Sequence, residues 1–159
     1  MAFDVRPLQE DDRGWAAQFL EEHWGATIVV SRGQVHRADR YPGFVALRDD
    51  QPVGLITYHI ADGQCEIVAI DSLAEGIGIG SALIDAVQGV ARRAGCHRLW
   101  LITTNDNLHA LRFYQKRGFV LAALHRDAIV ESRNLKPSIP LIGFDGIPIR
   151  DEIELEMPL

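Results

Sequence analysis

The chain has 159 residues, 47% apolar and 24% charged, with a net charge of −6, the proportions of one globular domain spanning 1–159 with a sizeable core. The acidic balance argues against nucleic acid as the main partner, because phosphate contacts need a basic excess. No apolar run approaches membrane-spanning length, and "MAFDVRPLQEDD" lacks a basic segment followed by an apolar one, so a cytoplasmic protein without membrane attachment is expected.

In chain order, Phe3–Leu8 alternates like a first strand. Asp11 or Asp12 can cap a helix carrying Trp15, Phe19 and Trp24. Thr27–Ser31 reads as a short strand or turn, and the stretch to Tyr41 is ambiguous. Phe44–Arg48 and Val53–Ile60 are strands joined by the turn residues of "DDQP", and Gln64–Asp71 adds a third after "ADG". A helix is expected from about Ser81 to Ala94, with Leu83, Val87, Val90, Ala91 and Ala94 on one face and Gly95 at its stop. His97–Thr104 is an apolar strand. Asn105 or Asp106 can cap a second helix through "NLHALRFYQKR", which Gly118 ends. Phe119–Leu124 is a further strand. Val130–Arg150 holds three of the seven prolines and reads as an irregular, extended excursion. Glu152–Leu159 alternates acidic and apolar residues, as a half-exposed final strand does. The order predicts a mixed α/β sheet, an antiparallel meander first and parallel strands around a glycine turn.

That turn lies in "DSLAEGIGIGSALIDAV", Asp71 to Val87, between a strand and a helix. A helix start offers unpaired N–H groups and the positive end of the dipole, and glycines let a ligand approach the backbone closely. Together they suit a phosphate; the alternative is that the glycines only shape a tight turn. A Walker loop requires GxxxxGK[ST], and no lysine lies nearby. A dinucleotide fingerprint requires a third glycine where Ser81 stands, and a carboxylate about 20 residues on, where "CHRLWL" has none.

Glu75-Gly76-Ile77-Gly78-Ile79-Gly80 resembles the [Q/R]-x-x-G-x-[G/A] cofactor signature of the GNAT superfamily of acyl-CoA-dependent N-acetyltransferases, with Glu75 departing at its first position. "NLHALRFYQKRGF" is similar to that family's N-x-x-A-x-x-x-Y-x-x-x-G-F segment at Asn107, Ala110, Tyr114, Gly118 and Phe119. The resemblance covers roughly Pro42 to Leu124. It implies a GNAT-like fold with helices on both faces of the sheet, and acetyl-CoA as acyl donor. The backbone of Gly76, Ile77, Gly78, Ile79, Gly80 and Ser81 would hold the diphosphate. Val68, Ala69 and Ile70 would offer backbone groups to the pantetheine arm and the thioester carbonyl, and Asn107 would touch the same arm; the alternative is that Asn107 only caps the helix.

Acyl transfer from a thioester to an amine calls for a base on the amine, donors at the oxyanion and an acid at the departing sulfur. By resemblance Tyr114 is that acid; read alone, it is a packed aromatic beside Phe113. Glu66 shares an apolar stripe with Val68 and Ile70, which suits a base of raised pKa, and some family members use a glutamate on this strand; the alternative is an exposed edge carboxylate. Asp71, at the strand's end, is a weaker candidate base. Trp15 and Trp24 read as core or rim residues; the alternative for Trp24 is a ligand contact, because it precedes the loop that often gates the acceptor in family members. Cys65 and Cys96 form no CxxC and read as small buried residues, and the six histidines show no HxxxH spacing, so no metal is expected. The expected activity is acetyl transfer to a primary amine of a small-molecule or peptide acceptor, by direct attack in a ternary complex. The competing reading is a non-catalytic acyl-CoA sensor. A homodimer joined through the C-terminal strand is a further expectation.

Overall fold

The computed structural model describes residues 2–24, 26–74 and 76–159. In chain order its strands are β1 (Asp4–Pro7), β2 (Ile28–Ser31), β3 (Gln34–Arg37), β4 (Gly43–Arg48), β5 (Gln51–Ala61), β6 (Gln64–Ser72), β7 (Arg98–Thr104), β8 (Val120–His125) and β9 (Glu152–Pro158). The helices are α1 (Arg13–Trp24), α2 (Ile79–Arg93), α3 (Leu108–Lys116) and α4 (Ala128–Leu135). The chain clusters into two compact units. One takes the residues up to Val29, Arg37–Leu99 and Leu159; the other takes Val30–His36 and Trp100–Pro158.

In the first unit, β1, β4, β5 and β6 pair antiparallel in that order. Two tight turns set the meander. Asp49 and Asp50 (φ 52° and 61°), then Asp62 and Gly63 (φ 54° and 71°), place positive φ at both central positions, the backbone twist that two-residue hairpins favour. Helices cover both faces of this sheet. On one, Ala16, Phe19 and Leu20 of α1 pack with Leu55, Val68 and Ala69. On the other lies α2, buried through Ile79, Leu83, Ile84, Val87 and Ala91. A Cβ at Gly54 would stand 2.7 Å from Ile79 Cγ2, so the glycine lets α2 approach β5. Of the expected apolar face, Val90 is only half-buried and Ala94 is exposed, while Ile79 and Ile84 complete the stripe.

β6 carries one residue more than its partner. Thr57 pairs with Ala69 and Tyr58 with Ile67, leaving Val68 as the extra residue of a β-bulge. The bulge corrects the expected stripe. Paired residues share a face, so Glu66 lies on the side of His59, Thr57 and Ala69 (the α1 side), whereas Ile70 pairs with Ile56 on the other. Simple alternation would have put Glu66 with Ile70.

In the second unit β9 lies between β7 and β8, with Leu121 opposite Leu155 and Leu124 opposite Ile153 in the antiparallel β8–β9 pair. β8 is the outer strand, and Val120, Leu121 and Leu124 are exposed on it. β2 and β3 form a separate hairpin, turned by Arg32 and Gly33 at positive φ. Buried Glu152 accepts from both the backbone N–H (3.3 Å) and Nη1 (3.3 Å) of Arg32. The expected excursion is more ordered than its prolines suggest. It includes all but the first two residues of α4, and the Arg133 guanidinium donates to the carbonyls of Pro140 (2.8 Å) and Ile149 (2.6 Å). The α3 cap is neither Asn105 nor Asp106 but the alternative reading of Asn107. Asn107 caps it, Oδ1 accepting from Ala110 N–H at 3.1 Å. Asn105 Oδ1 instead accepts from the N–H groups of Arg150 and Asp151, and buried Asp106 accepts from Thr104 Oγ1 and Phe144 N–H.

Candidate functional site

The glycine turn belongs to the first unit. Gly76 (φ 80°) and Gly78 (φ 87°) both adopt the left-handed backbone that glycine takes without cost. A Cβ built at either would meet nothing within 4 Å, so the turn faces open space. Gly78 is the N-cap of α2, without a side-chain cap, and the first ladder bond runs from Ala82 N–H to Gly78 O at 3.0 Å. α2 therefore starts at Ile79, two residues earlier than expected, and Ile79, Gly80 and Ser81 form its first turn. Helix geometry gives the amides of Ile79 and Gly80 no carbonyl one turn back. The positive dipole end, the bare backbone and the open space fit an anionic group such as a diphosphate. Glu75 and the side chain of Trp24, on which two of the expectations above fall, lie outside the described residues.

The same unit holds Glu66, only 6% exposed, so the edge-carboxylate alternative does not apply. His59 is its direct cross-strand partner. Tyr41 stacks on the His59 ring, with centroids 4.9 Å apart and planes inclined by 17°. Burial, and then the negative charge of Glu66, raise the Tyr41 phenol above its ordinary pKa. Asp71 makes different contacts: Oδ1 accepts from its neighbour Ser72 N–H at 2.8 Å, and Oδ2 lies 4.0 Å from His23 Nδ1. Cys65 and Cys96 are buried, and burial pushes the Cys65 thiol up to about 12, which suits packing and not nucleophilic attack.

Asn107 and Tyr114 belong to the second unit. Tyr114, 8% exposed, is held edge-on between Phe113 (5.3 Å, 84°) and Phe119 (5.6 Å, 70°). Burial raises its phenol well above the ordinary tyrosine range, against a smaller opposing effect from Arg117. The group thus stays protonated at neutral pH, as a proton donor must. Arg117 lies 3.5 Å from the Phe113 ring centroid and donates to the Phe113 carbonyl, bracing this aromatic cluster.

Tyr41 and His59 were not singled out from the sequence. A signal for His59 was present, since a two-residue turn at Asp62-Gly63 in "ADG" sets residue 59 opposite residue 66. Tyr41 lies where the sequence shows no periodicity. Among the described residues there is no group of three or more His, Cys, Asp or Glu arranged to hold a metal, and no helix is long and apolar enough to cross a membrane.

The chain is 42% identical over 150 residues to the uncharacterized protein YdhI of Bacillus subtilis (strain 168), covering 94% of each chain. Its fold matches the IAA acetyltransferase from Bacillus cereus ATCC 14579 with a TM-score of 0.74 at 23% identity, covering 99% of this chain and 100% of that one. It also matches a Bacillus subtilis acetyltransferase solved with CoA, with a TM-score of 0.72 at 20% identity over 99% of both chains. The family model described as "Acetyltransferase (GNAT) family" matches residues 5–119, and the chain belongs to that family.

Proposed function

We propose that the protein transfers an acetyl group from acetyl-CoA to a primary amine of a small-molecule or peptide acceptor, by direct attack in a ternary complex. The observation that carries the reading is the turn through Gly76 and Gly78 at the start of α2, where a Cβ at either glycine would meet open space. In this reading the amides from Gly76 to Ser81 hold the donor's diphosphate. Backbone groups of Val68, Ala69 and Ile70 meet its pantetheine arm and thioester carbonyl, with Asn107 on the same arm. The bulge supports this role, because its extra residue leaves the β5 ladder.

Glu66 takes the proton that the attacking amine must lose, and Tyr114 gives one to the sulfur as it leaves. The amine nitrogen gains the acetyl carbon, the C–S bond breaks and CoA departs as the thiol. Buried Glu66 and buried Tyr114 suit these opposite roles, one as acceptor and one as a phenol kept protonated.

The test is calorimetry with acetyl-CoA and with CoA, followed by thiol detection on a panel of primary amines from ethanolamine to spermine and short peptides. Binding with amine-dependent thiol release is expected. Binding without release from any amine would leave an acyl-CoA-binding module, and no binding would remove the proposal altogether.

A further inference from the structure

A buried base must lose each proton it gains before the next turnover. Glu66 is nearly sealed, and the group paired with it across the sheet is an imidazole, the side chain whose ordinary titration lies nearest neutrality. His59 sits beyond the end of β4, whose last pairing is Gly43 with Thr57, and the residue is only partly buried. Directly paired side chains on one face stand about 5 Å apart at Cβ.

From this geometry we infer that His59 relays the Glu66 proton to solvent, with Tyr41 fixing the ring that carries it. The inference rests on the acetyl-transfer reading, and Glu66 remains the group that touches the amine. The step balances simply. The protonated carboxyl of Glu66 gives its proton to one ring nitrogen of neutral His59, and the other nitrogen gives a proton to water or buffer. Glu66 returns to the carboxylate and the neutral ring is left as the other tautomer, which proton exchange with solvent resets before the next turnover.

Tyr41 suits the task of holding the ring. It lies nearly parallel to it, and its carbonyl is fixed by Arg13 Nη1 at 2.6 Å. Arg13 Nη1 also donates to the Asp39 carbonyl at 3.1 Å, anchoring the segment that presents the phenol. The ionisable groups placed around His59 by these contacts are Glu66 on β6 and Tyr41 ahead of β4. Arg13 acts on the backbone of that segment, and the His23–Asp71 pair lies further along the same face.

Two measurements test the relay. The first needs no acceptor: the imidazole ¹⁵N resonances of His59 are compared in wild type and Glu66→Gln. A change in tautomer populations is expected, and unchanged resonances would overturn the inference whatever the enzyme acts on. The second uses the amine that releases thiol fastest in the panel above. His59→Gln is expected to slow turnover about tenfold or more at neutral pH, with unchanged acetyl-CoA affinity, and added imidazole is expected to restore the rate in a dose-dependent way. A purely structural role would not respond to imidazole. Full activity in His59→Gln, or a loss that imidazole leaves untouched, would also refute the relay. Tyr41→Phe keeps the stack and is expected to keep most of the rate, whereas Tyr41→Ala is expected to lose it.

Discussion

Gly78 and Gly95 stand at opposite ends of α2 and make a matched pair for testing the phosphate site. Both have left-handed backbones, φ 87° and 76°, and a Cβ at either meets nothing within 4 Å. Gly95 closes the helix, its N–H bonding Arg92 O and the next N–H, from Cys96, reaching back to Ala91 O. Alanine at either site thus carries the same strain and no clash, about 1–2 kcal/mol for a left-handed L-residue. At roughly 2–4 °C of melting temperature per kcal/mol for a chain of this size, both variants should melt about 2–8 °C below wild type. Their ligand binding should diverge. A methyl at residue 78 stands in the open space that the diphosphate would enter, and at residue 95 it stands at the far end of the helix. Gly78→Ala should weaken acetyl-CoA binding at least about tenfold, or ~1.4 kcal/mol, while Gly95→Ala leaves it unchanged. Calorimetry on the two folded variants reads this directly, with the melting curves confirming equal strain. Equal affinity in both would refute the placement of the phosphates at this turn.

Tyr114→Phe should lower the rate of thiol release about 10²–10⁴-fold while leaving acetyl-CoA affinity intact. Because burial raises this phenol, the acid form persists as pH rises, and any alkaline loss due to Tyr114 should lie above the ordinary tyrosine value of about 10; a pH–rate profile locates it. Asp12 accepts from Arg6 (2.7 and 3.0 Å), Gln9 N–H and Trp15 Nε1, and the Arg6 guanidinium holds its carboxyl well below the usual range. Asp12→Asn should cost about 2 kcal/mol in urea unfolding at pH 7. A lowered folded-state pKa stabilises above the unfolded value and is lost below it, so the gap between wild type and variant should narrow as pH falls under about 4. Cys65, with its thiol pushed up to about 12, should react with a thiol reagent at pH 8 only on unfolding; rapid labelling of the native protein would contradict its burial.

Much of the architecture was legible because local chemistry agreed with it. "DDQP" and "ADG" announced two hairpins, the apolar spacing after Gly80 announced α2, and Gly95 announced its end. The misreadings have physical causes. A bulge adds a residue without leaving a mark in the alternation, so the face of Glu66 could not be taken from β6 alone. It could be taken from the two-residue turn at Asp62-Gly63, which sets His59 opposite Glu66. Asn105 and Asp106 carry the chemistry of helix caps, yet their oxygens accept from Arg150, Asp151 and Phe144, groups about 40 residues away in sequence. The prolines of the excursion suggested an extended path because proline removes donors. They gave no hint that Arg133 would gather the orphaned carbonyls and support α4. Tyr41 follows a one-turn helix at Ala38–Arg40, too short for any period to reveal.

β6 is one residue longer than its neighbour requires, and that surplus at Val68 sets tidiness against usefulness. Removing Val68 would leave Thr57 opposite Ala69 and Glu66 opposite His59, so the ladder would close without a gap and no face would turn over. The loss would fall on main-chain atoms that a regular ladder keeps for itself. On the proposed reading, evolution toward a stiffer sheet meets resistance at this single peptide, and a laboratory search for heat-tolerant variants would find here a deletion that the fold accepts and the proposed chemistry does not.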